Sequence, residues 1–413
     1  MQYTRLRFAD KYIGIVICFV FSVLNKFKFK KKNIVIKNVL VMELFEMGAA
    51  IMIHSCFLQM QKKLQNPVFY CLTLESMKES WELVMPKENI FTINDKSMFS
   101  FATSLIKQLF ILRKKNIDLI IDFELLTRIS AIVAFLIKSK IRAGFHKYEL
   151  EGLYRGSFYD VKCAFNQNMH ISKNFLALTK AAIANSPEYP NFKGMINNDE
   201  VICPKYKSEP VINKIVVARL KSMCPAYSKQ KLILVNPDVG SNLSVRNYPK
   251  EHYAKLSKKI LEQYSECLLL LTGTKDHMPT CSYIEQYVKN KRCINFCGQT
   301  HTLKEYLELL SLADLLISND SGPPHFAALT NTRTIAIFGP ETPAMYGPIG
   351  KCVAIYSNYH CSPCVSVFNH KNTKCNNTLC VKSIAPETVF SYVSEILSDK
   401  LKYGAINNKT GYL

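Results

Sequence analysis

Along the chain, short β-branched or leucine-rich runs alternate with longer stretches whose apolar residues recur at helical spacing. Asn33 to Met42, NIVIKNVLVM, is the first such run and predicts a buried strand; ELFEMGAAIMIHSCFLQMQKKL then reads as a glycine turn entering a helix. Further strands are predicted at 67–74, 89–94, 117–123 and 140–145, with helices around 76–85, 98–115 and 126–138. From about Asn185 to Gln230 the pattern gives way to proline, asparagine and charge, the composition of a domain junction. The alternation restarts with strands at 231–237, 267–273, 293–298, 314–319 and 333–339, and helices around 250–264, 279–290, 302–313 and 323–330. Strand and helix in strict turn predict parallel sheets covered on both faces. The expected fold is α/β, two doubly wound Rossmann-like domains facing across a cleft, with ligands at the carboxyl ends of the strands. The expected boundaries are an anchor at 1–32, a first domain at 33–205, a linker at 206–230 and a second domain at 231–413.

The 413 residues, 48% of them hydrophobic, are enough for two cores of this kind. One apolar stretch falls outside the alternation. Tyr12 to Leu24 is a run of thirteen, preceded by Arg5, Arg7 and Lys11 and followed by Lys26, Lys28, Lys30, Lys31 and Lys32. A full bilayer crossing takes roughly 20 apolar residues, so the run fits a signal-anchor core, a thinned span or a helix in the interface. No small-residue cleavage site follows it. The heavier lysine cluster on its carboxyl side would keep the remainder cytoplasmic, and the expectation is attachment at the cytoplasmic face of a membrane through this N-terminal anchor. The alternative is a buried first element of the fold.

A formal charge of +21, from 53 Lys and Arg against 32 Asp and Glu, favours anionic partners. Phosphates and acidic headgroups fit better than nucleic acid, since the sequence has no RNA-binding aromatic motif, no zinc-finger spacing and no long basic tail. The fifteen cysteines are scattered, which fits free thiols in a reducing compartment. Cys361, Cys364, Cys375 and Cys380 cluster; four thiolates could close a zinc site, but the irregular second pair favours paired or free thiols, and the expectation is no metal and no cofactor.

The densest chemistry lies in DLLISNDSGPPHFAALTNTRTIAIFGPETPAMYGP, residues 314–348. A strand ends at Asn319; Asp320, Ser321 and Gly322 make a tight loop; Pro323 and Pro324 open a helix at positions where a missing N–H costs nothing. Such a loop offers backbone N–H groups, a hydroxyl and a helix terminus to the phosphates of a nucleotide diphosphate, with Asp320 for sugar hydroxyls. The same residues also make an ordinary helix cap.

This stretch resembles the signature of glycosyltransferase family 9, the ADP-heptose:lipopolysaccharide heptosyltransferases: a strand, N-D-[ST]-G-P-x-H, a small-residue helix, another strand, then F-G-P-T-x-P. Each landmark is present, with Glu341 where the family usually has Thr. NPDVGSNLSVRNYPKEHYAKL (236–256) resembles the family's strand-end N-P segment and its basic, aromatic and proline motif through Arg246, Tyr248 and Pro249. LLLTGTKD (269–276) resembles its L-x-G-G segment, with Gly273 kept and Thr274 at the second glycine, and residues 118–145 resemble its first-domain strand, helix and R-x-G-[FY] run. The resemblance implies a GT-B fold and inverting, metal-independent transfer. It also implies a donor held by the second domain through Asn236, Arg246, Gly273, Asn319, Asp320, Ser321, Gly322 and His325, and an acceptor held by the first. Arg246, with Lys250 behind it, is the cation expected to offset the leaving diphosphate's charge; a solvated surface arginine is the plainer reading. His325 either bonds a phosphate or fixes the loop.

One departure concerns the base. The family places Gly-Asp after the first strand, whereas here Gly48 is followed by Ala49. Glu46 and Glu43 lie on the same turn and are the candidate replacements, although a glutamate beside a helix start also favours the helix dipole. The sequence therefore predicts a glycosyltransferase moving a sugar, heptose or another, from a nucleotide-sugar donor such as ADP-heptose to a lipopolysaccharide-core or other lipid-linked acceptor at a membrane surface, with no nucleic acid involved. The alternatives are a nucleotide-sugar-binding chain that has lost its base, a transferase with a different donor sugar, and an epimerase or phosphorylase on the same architecture.

Overall fold

The structure, a computed structural model, describes residues 3–27, 34–148, 152–184, 190–225, 227–228, 230–357, 359–369, 371, 373–401 and 408–412. Lys28, Lys30, Lys31 and Lys32 of the predicted anchor, and residues 185–189 of the predicted junction, lie outside them. The chain divides into two compact units, Met1–Ile202 with Ser366–Asn372, and Cys203–Val365 with Thr373–Leu413.

In the first unit the elements run α1 (Tyr3–Asn25), β1 (Asn38–Met42), α2 (Ala49–Lys63), β2 (Val68–Leu74), α3 (Lys78–Trp81), β3 (Ile90–Ile93), α4 (Met98–Lys114), β4 (Leu119–Asp122), α5 (Ile129–Ile137), β5 (Ile141–Phe145), β6 (Val161–Cys163) and α6 (Ile171–Ala184). All strands pair in parallel, in the order β3-β2-β1-β4-β5-β6. Strand residues alternate between faces. Leu40, Met42, Leu72, Leu74 and Ile120 pack in one cluster with α4, α5 and Cys18 of α1. The other face is covered by α2 and α6, with Phe123 edge-on to Phe175.

In the second unit follow α7 (Pro210–Met223), β7 (Lys231–Asn236), α8 (Lys250–Gln263), β8 (Cys267–Leu271), α9 (Met278–Val288), β9 (Cys293–Asn295), α10 (Leu303–Leu312), β10 (Leu315–Asn319), α11 (Gly322–Ala327), β11 (Arg333–Phe338), α12 (Pro343–Tyr346), β12 (Cys352–Tyr356), α13 (Leu379–Lys382), α14 (Pro386–Leu397) and β13 (Asn408–Tyr412). This sheet is also parallel, in the order β13-β12-β11-β10-β7-β8-β9. One face packs on α8, α9 and α14. Each sheet therefore reverses direction once, between β1 and β4 and between β7 and β10. Such switch points leave a crevice at the carboxyl ends of the strands, where ligands of this architecture bind.

The segment read as a linker, 206–230, carries α7. Pro210 starts it with a fixed φ suited to the first turn, and the helix packs on α10. Its tie is the fully buried Glu308, which accepts from Tyr206 Oη at 2.9 Å, Ser208 Oγ at 2.7 Å, the Glu209 N–H at 2.6 Å and Asn213 Nδ2 at 3.0 Å. Burial pushes this carboxyl up, yet the four donors together hold it below its ordinary value.

The Tyr12–Leu24 run lies within α1, whose segment Phe8–Asn25 is the one helix among the described residues long and apolar enough to cross a membrane. It also packs on the first unit, against α5. Asp10, buried, accepts from Thr127 Oγ1 and from the backbone N–H of Arg128 at 2.7 Å and Ile129 at 3.0 Å, so it caps the start of α5 from another helix. Gly14 passes Arg128 so closely that a Cβ there would lie 3.2 Å from the arginine's Cβ.

Candidate active site

In the first unit the site is built on the turn from β1 into α2. Glu43 ends the strand run, is buried, and accepts the N–H of Phe45 at 3.1 Å and of Glu46 at 3.0 Å. From the end of the neighbouring β4, Glu124, also buried, accepts the N–H of Leu126 at 2.7 Å and of Leu125 at 2.9 Å, and reaches the N–H of Leu44 at 3.4 Å. Burial, then the Glu124 and Glu46 charges, pushes the Glu43 carboxyl well up. Burial likewise raises Glu124, to about 7. Two acids thus hold the turn through backbone hydrogen bonds. Below them Arg155 and Tyr159 both bond Asp122, closing a buried network at the end of β4.

Glu46 is the acid that this turn presents outward. Its side chain is 28% exposed and ion-paired with Lys371, which lies in the 366–372 segment that clusters with the first unit. Ala49 is the first residue of α2 and is buried, so that position offers no proton acceptor to solvent. Glu43, the second sequence candidate, fixes the turn from within rather than facing outward.

In the second unit the predicted donor residues converge on the β7/β10 switch point. Asn236 ends β7 and donates to the Thr272 carbonyl at 3.2 Å, joining it to the end of β8. Asn319 ends β10; its side-chain oxygen accepts from the Tyr248 N–H at 2.9 Å and Tyr253 Oη at 3.1 Å, and its amide donates to the Pro237 carbonyl at 3.0 Å. Both acceptor positions of that oxygen are used, so Asn319 holds the β7 loop to β10 instead of reaching a ligand through its carbonyl. Gly273 is required by close approach: a Cβ there would lie 2.7 Å from His277 Nδ1. Asp238, a residue the sequence reading did not single out, organises the loop after β7 by accepting from the Gly240 N–H at 3.0 Å, Asn247 Nδ2 at 3.2 Å and Thr280 Oγ1 at 3.1 Å.

Arg246 is buried, its guanidinium pairing with the buried Glu341, lying 3.6 Å from the Asp320 carboxylate and donating to the Asp320 carbonyl at 3.3 Å. The arginine therefore joins the loops after β10 and β11. This sets aside the plainer reading of a solvated surface arginine: Glu341, where the family usually has Thr, supplies a counter-charge. Ser321 stands at the N-cap position of α11, which spans only Gly322–Ala327, but its hydroxyl turns away from the helix to donate to the Asn319 carbonyl at 3.2 Å. Pro323 and Pro324 lack N–H groups, so the loop's backbone donors are those of Ser321, Gly322 and His325. His325 is half-buried on the first turn of α11.

The described cysteines are free thiols. Cys380 is buried and pushed up to about 11 by burial and then by its neighbours Cys364, Cys361 and Cys375. Among the described residues no three His, Cys, Asp or Glu side chains are gathered as a metal ion would need, and the cysteine quartet considered for zinc does not form such a group. His370, next to that quartet in sequence, lies outside the described residues.

Two parallel switch-point units with these loops define an α/β fold of the GT-B type. It matches the solved structure of E. coli ADP-heptose lps heptosyltransferase II over 88% of this chain and 99% of that one, with a TM-score of 0.65 at 16% identity. It also matches a glycosyl transferase family 9 structure from Veillonella parvula over 88% and 97%, with a TM-score of 0.67 at 16% identity. The chain belongs to glycosyltransferase family 9 (heptosyltransferase), whose sequence profile matches residues 103–374. It is 26% identical to lipopolysaccharide heptosyltransferase 1 of Campylobacter coli over 70% of this chain and 78% of that relative. It is 26% identical to lipooligosaccharide heptosyltransferase 2 of Campylobacter jejuni serotype O:2, where the alignment covers 41% of this chain and about half, 52%, of the relative.

Proposed function

We propose that this chain is an inverting glycosyltransferase that moves a heptose from a nucleotide-diphosphate donor such as ADP-heptose to a lipopolysaccharide-core, lipid-linked acceptor. It works at the cytoplasmic face of the inner membrane. Family membership supports the reaction class, and the names of the relatives support the sugar and the acceptor. The observation that carries the assignment of roles is the turn after β1, where a buried Glu43 holds an outward Glu46 and Ala49 is buried.

Glu46 is the general base. It takes the proton of the acceptor hydroxyl as that oxygen attacks the anomeric carbon; the bond from this carbon to the diphosphate oxygen breaks, and the nucleoside diphosphate leaves with the electron pair. Lys371 positions the Glu46 carboxylate. The donor lies over the loops after β7, β8 and β10. The backbone N–H groups of Ser321 and Gly322, with His325, meet its phosphates, while Asp320, oriented by Arg246, meets sugar hydroxyls. Asn236, Gly273 and Asn319 shape this floor, and no metal enters the scheme.

The test is release of nucleoside diphosphate by the purified full-length chain offered ADP-heptose, or common UDP-sugars, with a lipid A–core extract. Release that requires both donor and acceptor supports transfer. Donor binding without release from any pair assigns the chain to nucleotide-sugar binding and makes Ala49 the mark of a lost base.

A further inference from the structure

From Phe8 to Asn25 of α1 the buried residues, Asp10, Gly14 and Cys18, recur every fourth position and form one stripe against α5. Phe21 continues it, stacked on Phe135 at 4.2 Å, and Ser22 donates to, or accepts from, Tyr154 Oη at 3.2 Å. The opposite side is apolar and open: Phe8 is 66% exposed, Val16 59% and Phe19 62%. On the same face of the sheet α4 packs against α5 and exposes a second apolar stripe, Phe99 at 79%, Ile106 at 54% and Phe110 at 61%. These three fall at helical spacing, on the side of α4 away from the core. Neither helix has an exposed carboxylate: Asp10 is the one acid in α1 and is buried, and α4 contains none. Lys11, Lys26, Lys107 and Lys114 are all exposed around these stripes.

From this we infer that α1 and α4 together form an in-plane docking face for an anionic phospholipid bilayer, with α1 lying in the headgroup–acyl boundary and not crossing it. Large aromatic residues beside lysines, without exposed acids, match a surface of apolar chains under negative headgroups. A crossing would pull Asp10 out of its cap on α5 into hydrocarbon, a costly place for a carboxylate, and strip Thr127 and the N–H groups of Arg128 and Ile129 of their acceptor. The lying helix keeps every one of these bonds. The inference deepens the proposed reaction at a membrane-held acceptor and rests on that reading for its purpose, while its geometry stands on the first unit alone.

The test uses the full chain with vesicles of phosphatidylglycerol and phosphatidylethanolamine, beside vesicles of phosphatidylcholine. The expected result is flotation with the anionic vesicles that high salt weakens, release from cell membranes by alkaline carbonate, and a loss of vesicle affinity of about tenfold or more in Phe99→Ser/Phe110→Ser, from the apolar area those rings would bury. The unfolding temperature of that variant should match wild type, since both rings are exposed. Carbonate-resistant membrane retention would overturn the inference in favour of a spanning α1, as would equal binding by the α4 variant or no preference for anionic vesicles. Transfer to a delipidated core oligosaccharide separates the two readings. If it persists while vesicle binding fails, docking alone is wrong; if it fails while vesicle binding holds, the functional reading alone is wrong.

Discussion

The carboxylate of Glu43 accepts the backbone N–H of Glu46 at 3.0 Å, so a buried acid at the end of β1 sets the direction in which a half-exposed acid leaves the turn. Residue 49 is a small helix-start residue packed inside, and the acid that this turn presents outward lies three positions upstream of it.

Under the proposed mechanism Glu43 is a positioning residue, and its substitutions should separate shape from charge. Glu43→Gln keeps an oxygen for the N–H groups of Phe45 and Glu46 and is expected to retain most activity. Glu43→Leu strands both donors, which should cost about 1–3 kcal/mol of stability. It should also lower kcat with little change in donor KM. Urea denaturation and initial-rate kinetics on both variants check this; equal losses in the two would contradict it.

Two buried acids should give stability opposite pH slopes. Glu124 is raised to about 7 by burial and nearby carboxylates. The folded state then holds its proton more tightly than the unfolded chain, whose glutamates titrate near 4.3. Its contribution is full below the unfolded value and is lost as pH rises through the folded one. Glu124→Gln should flatten the decline in stability between about pH 4 and 7. Glu308 is held low by its four donors, so its contribution is present above its ordinary value and lost as the medium acidifies through the folded one. Glu308→Gln should be less stable than wild type by about 1–3 kcal/mol at neutral pH, a gap that closes in acid. Denaturation midpoints across pH decide both; an unchanged slope in Glu124→Gln would count against the first.

Arg246 and Glu341 should be strongly coupled. Removing the arginine alone takes its counter-charge from two buried carboxylates, Asp320 and Glu341, and Arg246→Met is expected to lose about 3–5 kcal/mol. Arg246→Met/Glu341→Met should recover part of that loss, because one of the stranded charges is gone. A double-mutant cycle in urea checks the coupling; additive losses would show that the ion pair does not join the loops after β10 and β11.

Most strands of both sheets were legible in the sequence because parallel strands buried on two faces read as unbroken apolar runs: NVLVM, KLILVN and LLISN fall where the pattern places them, whereas β6, β12 and β13 were not among those predicted. The β10–α11 loop was legible because its chemistry is local. The side-chain partners of the turn escaped because they depend on distance along the chain. Lys371 meets Glu46 across 325 residues and Glu124 meets Leu44 across 80, and no spacing rule connects such partners. Helix α7 was hidden by the polar and proline-rich residues flanking it, although Pro210 and the periodicity of PVINKIVVARLKSM mark a helix start. In α1 the apolar run drew attention away from Asp10, Gly14 and Cys18, whose four-residue spacing was the readable sign that one side of the helix meets protein.

The most direct measurement is acceptor-dependent nucleoside diphosphate release by Glu46→Gln beside wild type, at saturating donor and acceptor. If Glu46 accepts the proton, kcat should fall by about 10²–10⁴ while donor KM stays near wild type. Glu46→Asp should restore part of the rate. A Glu46→Gln variant whose kcat remains within about threefold of wild type would contradict the account and place the base elsewhere.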